Sequence, residues 1–401
     1  MENDSPTEPD ERIESLDALR GLALFGVLMV NLQTQFRVSL FRFYSTFHTH
    51  PGSANLATDD AIRFLLEFKA FAIFSFLFGV GLAMFFGRTG RKGRERPMRL
   101  LLRRLVVLLA LGFLHMLLWN GDILLAYAVA GLLVAPVLFA GPRLAAGLAL
   151  GCAAIQFLPL SLPGLPAEAT MLRQGIAATA VYGSGTFGDV FRFRWNETRL
   201  YIAPLLLGCL PRVAGLMLAG TAVWRLRLLS NPRSHLRLYQ LVALAGLAIG
   251  GGGSALELVE QAGRIHLNGL VHRVVSPLDT VPFAFGYVAL FFCAVASERG
   301  KWLLRLFAPL GRMALTSYVT QSIVLSFVFF GYGLGLCGRL PSAPVALGGI
   351  ALYALQIGAS HLWLSRFRFG PLEWLWRSLT FGSAQPLRCA PTVLDRARPL
   401  H

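Results

Sequence analysis

The sequence has few charges for its length. Only 14% of its 401 residues are Asp, Glu, Lys or Arg, whereas 55% are hydrophobic, and an average soluble protein has about 25% charged residues. A soluble fold of this size could not cover so large an apolar fraction with so few charged side chains. The same composition excludes disordered, collagen-like, coiled-coil and disulfide-rich secreted chains. The remaining class is a polytopic membrane protein.

Lysine and cysteine are also scarce. The chain has three lysines and five cysteines. No two cysteines have the CxxC spacing of a metal or redox site, so we predict buried free thiols and no metal site. Arginine supplies almost all of the positive charge behind the net charge of +16. Because the arginines fall in short clusters between apolar runs, they are typical of membrane topology signals and not of a nucleic-acid interface.

Ten apolar stretches are long enough to cross the hydrocarbon core, which takes about 20 helical residues. The predicted spans are 19–36, 64–87, 103–119, 123–140, 143–160, 202–224, 239–260, 278–296, 310–333 and 344–365. The fold class is therefore an all-α, polytopic transmembrane helical bundle. Two spans are irregular: Pro211 interrupts the sixth, and four consecutive glycines at 250–253 favour an unwound segment in the seventh.

Positive residues predict the orientation of the spans. Segment 88–104 holds eight Arg and Lys residues, so it is expected in the cytoplasm, and ten spans then place both termini there. The first ten residues hold four acidic side chains instead of the basic start of a signal peptide, so the first apolar run is expected to remain as a span. The predicted outer segments are poorer in Lys and Arg for their length; they are 37–60, 161–199, 261–276 and 334–343.

This topology predicts four parts along the chain. A cytoplasmic segment, 1–18, precedes the N-terminal transmembrane helices, 19–224, which include an outer loop at 161–199 with at most a short interfacial helix. A C-terminal transmembrane domain follows at 225–381. The tail, 382–401, is rich in Pro and Arg and is predicted to be disordered.

Several stretches resemble the YeiB family of bacterial multi-pass membrane proteins. In the N-terminal half these are RIESLDALRG at 12–21, which runs on to Asn31, GFLH at 112–115 and GDIL at 121–124. In the C-terminal half, GRMALTSY at 311–318 and RFRFGPLEWLWR at 366–377 resemble the domain of unknown function 418. The resemblance implies a multi-pass protein of a bacterial plasma membrane, with the lipid bilayer as its first partner, and leaves its oligomeric state open.

A more distant similarity is to transmembrane acyltransferases such as heparan-α-glucosaminide N-acetyltransferase, which share the Leu-Asp-x-Leu-Arg-Gly opening found here at 16–21. That resemblance implies transfer of an acyl group from cytoplasmic acyl-CoA to an acceptor across the membrane. In that enzyme the functional histidine follows the first span, in a His-x-x-x-Trp setting. Here the comparable spacing, from His115 to Trp119, ends the third span, so position alone does not carry the role over.

His115 and Asp122 are the candidate catalytic pair, because a tight turn through Asn120 and Gly121 would bring them together at the outer end of a helical hairpin. A carboxylate beside an imidazole orients its tautomer and raises its basicity, which suits a general base. The alternative is structural: Asp122 caps the fourth span and His115 bonds a neighbouring helix. The side chains of Asn31 and Tyr318 are candidate donors to an oxyanion.

Two further groups are candidate binding residues. Arginines near the inner side could hold the phosphates of acyl-CoA or merely bind anionic lipids; they are Arg20, Arg103, Arg104, Arg312 and Arg368. On the outer side, Glu67, Glu257 and Glu260 could line a polar pocket shared with His115, or form ion pairs between helices.

Two classes of function follow from these groups. The first is a transmembrane acyltransferase that uses acyl-CoA as a donor substrate, without a permanently bound cofactor, and a glycan, lipid or small molecule outside as the acceptor. The second is a transporter or permease of a small solute, in which the outer glutamates bind a cation or proton around a broken seventh span. An envelope protein without catalysis is a further alternative. The distant similarity favours the acyltransferase.

The predicted orientation can be measured with reporters. A reporter fused after Arg94 or Arg377 is expected to be cytoplasmic, and one inserted near Gly183 to be external, because arginine-rich segments remain inside. A fluorescent protein that matures only inside and a phosphatase that is active only outside give opposite signals. A reversed signal at any of these positions would overturn the orientation.

Overall fold

The computed structural model describes residues 14–45, 54–91, 97–155, 167–229 and 232–388. Within these ranges the chain is helical, and the only pairing of extended chain is an isolated bridge between Phe367 and Arg388. The helices are α1 (Glu14–Asn31), α2 (Leu40–Ser45), α3 (Ala54–Leu65), α4 (Lys69–Arg91), α5 (Pro97–Leu118), α6 (Leu124–Val134), α7 (Pro142–Ile155), α8 (Glu168–Ser184), α9 (Phe187–Glu197), α10 (Ala203–Arg225), α11 (Leu236–Gln261), α12 (Gly269–Ala296), α13 (Lys301–Arg312), α14 (Ala314–Phe329), α15 (Ser342–Leu364) and α16 (Pro371–Phe381).

The helices have the length and composition of a membrane-embedded bundle. Seven described segments are long and apolar enough to cross a bilayer: Glu14–Phe36, Asn55–Gly90, Pro97–Leu118, Phe187–Arg225, Pro232–Gln261, Leu278–Ala296 and Ser342–Leu364. Three shorter apolar helices, Leu124–Phe139, Pro142–Ile155 and Ala314–Phe329, lie at the other predicted spans. The all-α, multi-span class is thus confirmed, while the number of crossings and the side of each terminus remain predictions.

Helix α1 lies at the centre of the bundle and packs on α4, α13, α14 and α15. Its crossing with α13 is a contact between two backbones. A Cβ added at Gly311 would lie 2.8 Å from the backbone nitrogen of Gly21, and one added at Gly21 would lie 3.2 Å from that of Gly311. Arg20 directly precedes Gly21, and Arg312 directly follows Gly311. The close crossing therefore brings both guanidinium groups to the same region.

The predicted outer loop 161–199 is wrong in its described part, because 168–184 and 187–197 form the helices α8 and α9. The glycines that suggested a loop instead allow a close backbone approach. A Cβ at Gly331 would lie 2.7 Å from the nitrogen of Gly185, and Gly331 N donates to Tyr182 O at 2.7 Å. Thr186 then begins α9 with a capping box. Residues 161–166 and most of the tail predicted as disordered, 389–401, lie outside the described residues.

The seventh span is not broken, contrary to the prediction from the four glycines. Helix α11 continues through 250–253, and two of its glycines pack closely on α12: a Cβ at Gly250 would lie 2.5 Å from Phe283 N, and one at Gly253 would lie 3.0 Å from the Cα of Asp279. Small residues at such crossings stabilise helix pairs in membranes through packing. Helix α10 likewise continues through Pro211.

The glycine run offers a matched pair of variants. Gly250→Ala is expected to lower the melting temperature of the detergent-solubilised protein, with a loss of about 1–3 kcal/mol, because the added methyl group would overlap Phe283. Gly252→Ala is the control: nothing lies within 4 Å of its Cβ position, so better helix propensity should leave stability equal or higher. Equal melting temperatures for the two variants would contradict the close α11–α12 packing.

Candidate functional site

A cavity of about 310 Å³ enters the bundle between α1, α4, α5, α6, α14 and α16. Its charged end is lined by five guanidinium groups and two carboxylates, from Arg20, Arg88, Arg104, Arg312, Arg377, Asp17 and Glu373. By the predicted orientation this end is the cytoplasmic mouth. Five positive groups against two negative ones leave an excess of three positive charges in a confined space, which attracts anions.

Both carboxylates at the mouth are already engaged by the protein. Asp17 pairs with Arg20 at 2.6 Å, one helical turn away. Glu373 accepts hydrogen bonds from the backbone nitrogens of Leu315 (2.7 Å) and Thr316 (3.1 Å) and from the Thr316 hydroxyl (2.6 Å), and so it caps α14. Burial raises the pKa of Glu373 above its ordinary value, and these hydrogen bonds oppose the shift.

The structure places some of the arginines predicted to bind a donor at this cavity, and others away from it. Three of the five predicted arginines line the cavity, whereas Arg103 is exposed and Arg368 does not line it. Successive helical residues lie about 100° apart, so Arg103 points away when Arg104 points inward and stacks on the Trp376 ring at 3.6 Å. Arg88 had been assigned to topology alone, although it lies one and two turns after the cavity residues Met84 and Gly81.

Beyond the mouth the cavity becomes an apolar tube. Its walls are mainly Leu, Val and Phe side chains, and its far end is formed by Ile123, Tyr127 and Tyr318. Along α4 the lining residues run from Arg88 at the mouth to Phe74, fourteen positions away, which corresponds to about 21 Å of helix. The tube therefore extends through more than half of a hydrocarbon core that is about 30 Å thick.

His115 and Asp122 form a buried pair beside the far end of this tube. His115 Nδ1 and Asp122 Oδ1 are 2.7 Å apart, and the residues are 3% and 1% exposed. The other carboxylate oxygen accepts from Leu125 N at 2.7 Å, so Asp122 is both an N-terminal cap and a partner of the imidazole. Gly112 allows this approach, since a Cβ there would lie 2.6 Å from Leu125 N.

The pairing defines the chemistry of the imidazole. An ionised carboxylate only accepts hydrogen bonds, so in the neutral imidazole Nδ1 carries the proton and Nε2 presents its lone pair. Nε2 is buried and has no hydrogen-bond partner. This arrangement equips His115 to take a proton from a substrate group placed at Nε2.

Tyr318 separates His115 from the cavity. The two rings are 5.1 Å apart, and Tyr318 lines the tube. Its hydroxyl donates to Gly121 O and accepts from Ile123 N, both at 3.3 Å, so it holds the turn and would have to leave these bonds to serve an oxyanion. Asn31, the other predicted donor, ends α1 and does not line the cavity.

The outer acidic residues do not line the cavity, and neither does His115, so this cavity is not the shared polar pocket predicted from the sequence. Lys69 and Asp279 pair at 3.5 Å, and Glu257 and Arg212 lie beside them. Glu67 is buried at the break between α3 and α4. The Lys69–Asp279 pair joins α4 to α12 through opposite charges.

Glu260 has a local structural contact at the end of α11, where its Oε1 accepts from Leu267 N at 3.1 Å. Among the residues that the structure describes, no group of three or more His, Cys, Asp or Glu side chains is arranged to hold a metal ion.

The fold and the buried polar sites define an integral membrane protein of the helical-bundle class. Residues 223–383 match the family described as "Protein of unknown function (DUF418)". The chain is 34% identical to the uncharacterized protein YxaH of Bacillus subtilis (strain 168), over 96% of this chain and 98% of that protein. It is 30% identical to the uncharacterized protein YeiB of Escherichia coli (strain K12), over 94% and 98%. The chain therefore belongs to the DUF418 family, as its motifs predicted.

Proposed function

We propose that this protein is a transmembrane acyltransferase of a bacterial plasma membrane. Acyl-CoA enters at the arginine-lined mouth, its acyl end extends along the apolar tube, and His115 activates an acceptor that arrives from the outer side. The observation that carries the proposal is a single cavity with an arginine-lined mouth and a mainly apolar interior, which ends at Tyr318. The ring of Tyr318 contacts the buried imidazole of His115, whose Nε2 has no hydrogen-bond partner.

The cavity has the chemical character that such a donor requires. The nucleotide end of acyl-CoA carries several phosphate charges, which arginine binds bidentately, and the arm that ends in the thioester is uncharged. The excess of positive charge lies only at the mouth, whereas the tube is mainly apolar. Charge therefore favours one orientation of the donor, with the thioester towards Tyr318.

The reaction needs no resident cofactor. The acceptor oxygen or nitrogen bonds to the acyl carbon, the bond between that carbon and sulfur breaks, and coenzyme A leaves as the thiolate. His115 Nε2 takes the proton of the acceptor group, Asp122 stabilises the imidazolium, and the proton then neutralises the thiolate. Tyr318 must move from between His115 and the tube for the reacting atoms to meet.

A transporter is the second candidate, and one observation favours it. The Lys69–Asp279 pair with Glu257 is a buried, charged group in the outer half of the bundle, as found where transporters bind ions or protons. The unbroken helix α11 removes the discontinuous span on which that mechanism depended. Ion or proton flux into liposomes that contain the protein, in the absence of any acyl donor, would favour transport.

The donor site is tested by changing arginines at the mouth. Arg20→Gln and Arg312→Gln are each expected to weaken acetyl-CoA binding about tenfold or more, because each removes a charge-assisted contact to phosphate worth about 1.5–3 kcal/mol. Binding is measured by fluorescence or thermal shift in nanodiscs. Arg143→Gln is the control, since Arg143 is exposed and lies outside the cavity. Unchanged affinity in both mouth variants, or no binding by the parent, would remove the donor site.

The base is tested by thiol release from acetyl-CoA. His115→Ala is expected to lower the transfer rate by about 10²–10⁴-fold, the usual contribution of general base catalysis. Asp122→Asn should lose less, because the imidazole remains but its tautomer is no longer held by a carboxylate. Retention of the rate in His115→Gln, with only a lower melting temperature, would show that the imidazole has a structural role alone.

A further inference from the structure

A second group of buried polar side chains lies on the outer side of the His115–Asp122 pair. Glu197 Oε2 accepts from Asn120 Nδ2 at 2.6 Å and from the Tyr182 hydroxyl at 2.5 Å. The Arg194 guanidinium donates to Leu118 O at the end of α5. Asn120 belongs to the turn between His115 and Asp122, so this group, carried by α8 and α9, is joined directly to the candidate catalytic hairpin.

Four side chains of this region retain polar atoms without a hydrogen-bond partner. These atoms are His115 Nε2, Trp119 Nε1, Arg194 Nε and Nη2, and Glu197 Oε1. The four residues are between 0% and 3% exposed. A buried polar atom without a partner is strongly unfavourable, most of all in a membrane, where no bulk water replaces the missing bond. Their concentration around one turn points to a ligand that bonds to them.

By their positions in the chain, the four side chains form two pairs, and the members of each pair lie one helical turn apart. Arg194 and Glu197 lie three positions apart on α9, yet they make no ion pair with each other. Trp119 follows His115 by four positions, and their rings are 5.8 Å apart. In the first pair the Trp119 indole N–H donates and His115 Nε2 accepts. In the second pair the Arg194 guanidinium donates and the Glu197 carboxylate accepts.

A hydroxyl group fits between the members of such a pair, because it donates one hydrogen bond and accepts two. An ammonium group cannot accept from Trp119 or Arg194, and an ionised carboxylate or a phosphodiester has no proton to donate to Glu197 or His115. We infer that Trp119, Arg194 and Glu197 form, with His115, the acceptor subsite, and that the acceptor is a polyol that presents at least two hydroxyl groups. This inference rests on the proposed acyl transfer and narrows its acceptor to hydroxyl compounds.

The assignment gives each pair a role. The hydroxyl between Trp119 and His115 is the one acylated: its oxygen bonds to the acyl carbon, the thioester bond between carbon and sulfur breaks, and its proton passes through His115 Nε2 to the leaving thiolate. The hydroxyl between Arg194 and Glu197 orients the polyol. Helix α9 covers the site and is tied to α5 and its turn by the bonds of Glu197 to Asn120 and of Arg194 to Leu118, which an entering polyol would exchange for its own.

The experiment uses the full chain in phosphatidylcholine nanodiscs. Maltoside detergents are avoided because their headgroup is itself a sugar, whereas neither phosphatidylcholine nor the belt protein resembles one. The probe is methyl α-glucoside, and its fully O-methylated ether is the matched compound without hydroxyl donors. We expect the sugar, but not the ether, to raise the melting temperature of the parent protein by preferential binding to the folded state. Equal shifts with both compounds, or no shift with either, would overturn the inference.

Variants assign the effect to the subsite. Arg194→Gln and Glu197→Gln are each expected to need at least about tenfold more sugar for half of the shift, because each loses a charge-assisted hydrogen bond. Arg192→Gln is the control, because Arg192 is exposed on the same helix, and it should respond as the parent does. An unaltered response in both subsite variants would overturn the inference; if these variants unfold, the comparison of the sugar with its ether in the parent decides alone.

The same preparations separate this inference from the proposed function. Binding is measured without any acyl donor, so sugar binding in the absence of thiol release from acetyl-CoA would keep the subsite and remove acyl transfer. Thiol release with an unchanged KM for the sugar in both variants would keep acyl transfer and remove the subsite. Nanodiscs that contain phosphatidylglycerol test the source of the polyol: release without added sugar identifies a lipid headgroup, and release only with sugar identifies a soluble or glycan acceptor.

Discussion

The crossing of α1 and α13 at Gly21 and Gly311 is the contact on which the site depends. Neither position has room for a Cβ, because the backbone of the partner helix occupies it. Such an approach is available only to glycine and gains packing energy that apolar side chains cannot provide against lipid. Since each glycine is adjacent to an arginine, the same crossing concentrates positive charge at one end of the bundle.

The hairpin between α5 and α6 shows how the bundle meets the demand for hydrogen bonds inside a membrane. A turn enclosed by helices leaves backbone groups that need hydrogen-bond partners within the protein. Here Asp122 caps the start of α6, Tyr318 bonds both sides of the turn, and Glu197 holds Asn120. The three side chains come from different parts of the chain, so the turn and the imidazole beside it are fixed by tertiary contacts.

The charged residues of the cavity and the candidate catalytic residue lie at opposite ends of it. Its mouth carries the arginines, and its far end lies beside Tyr318, whose ring contacts that of His115. About 21 Å of helix separates Arg88 at the mouth from Phe74 along α4. A ligand that neutralises the mouth and reaches the imidazole must therefore be amphipathic and extended. This constraint is independent of the particular reaction and restricts which donors the site can accept.

The outer cluster of Lys69, Asp279 and Glu257 has a different character from the site around His115. Lys69 and Asp279 form an ion pair there, whereas no ion pair joins Arg194 and Glu197, which are one helical turn apart and each keep a buried polar atom without a hydrogen-bond partner. Buried polar groups that satisfy each other stabilise a fold, and those that do not are the ones available to a ligand.

From the sequence alone, the apolar stretches, the family motifs and the pairing of His115 with Asp122 could be predicted, because each depends on composition or on residues joined by a short turn. The sequence did not reveal that α11 continues through its glycines, that 168–184 and 187–197 are helical, or which of Arg103 and Arg104 faces inward. Those outcomes depend on partners far along the chain: Phe283 for Gly250, Gly331 for Gly185, and Trp376 for Arg104. Local periodicity indicates which residues avoid water. Only the packing of helices that are distant in the sequence decides which two backbones come into contact and which charged side chain enters the cavity.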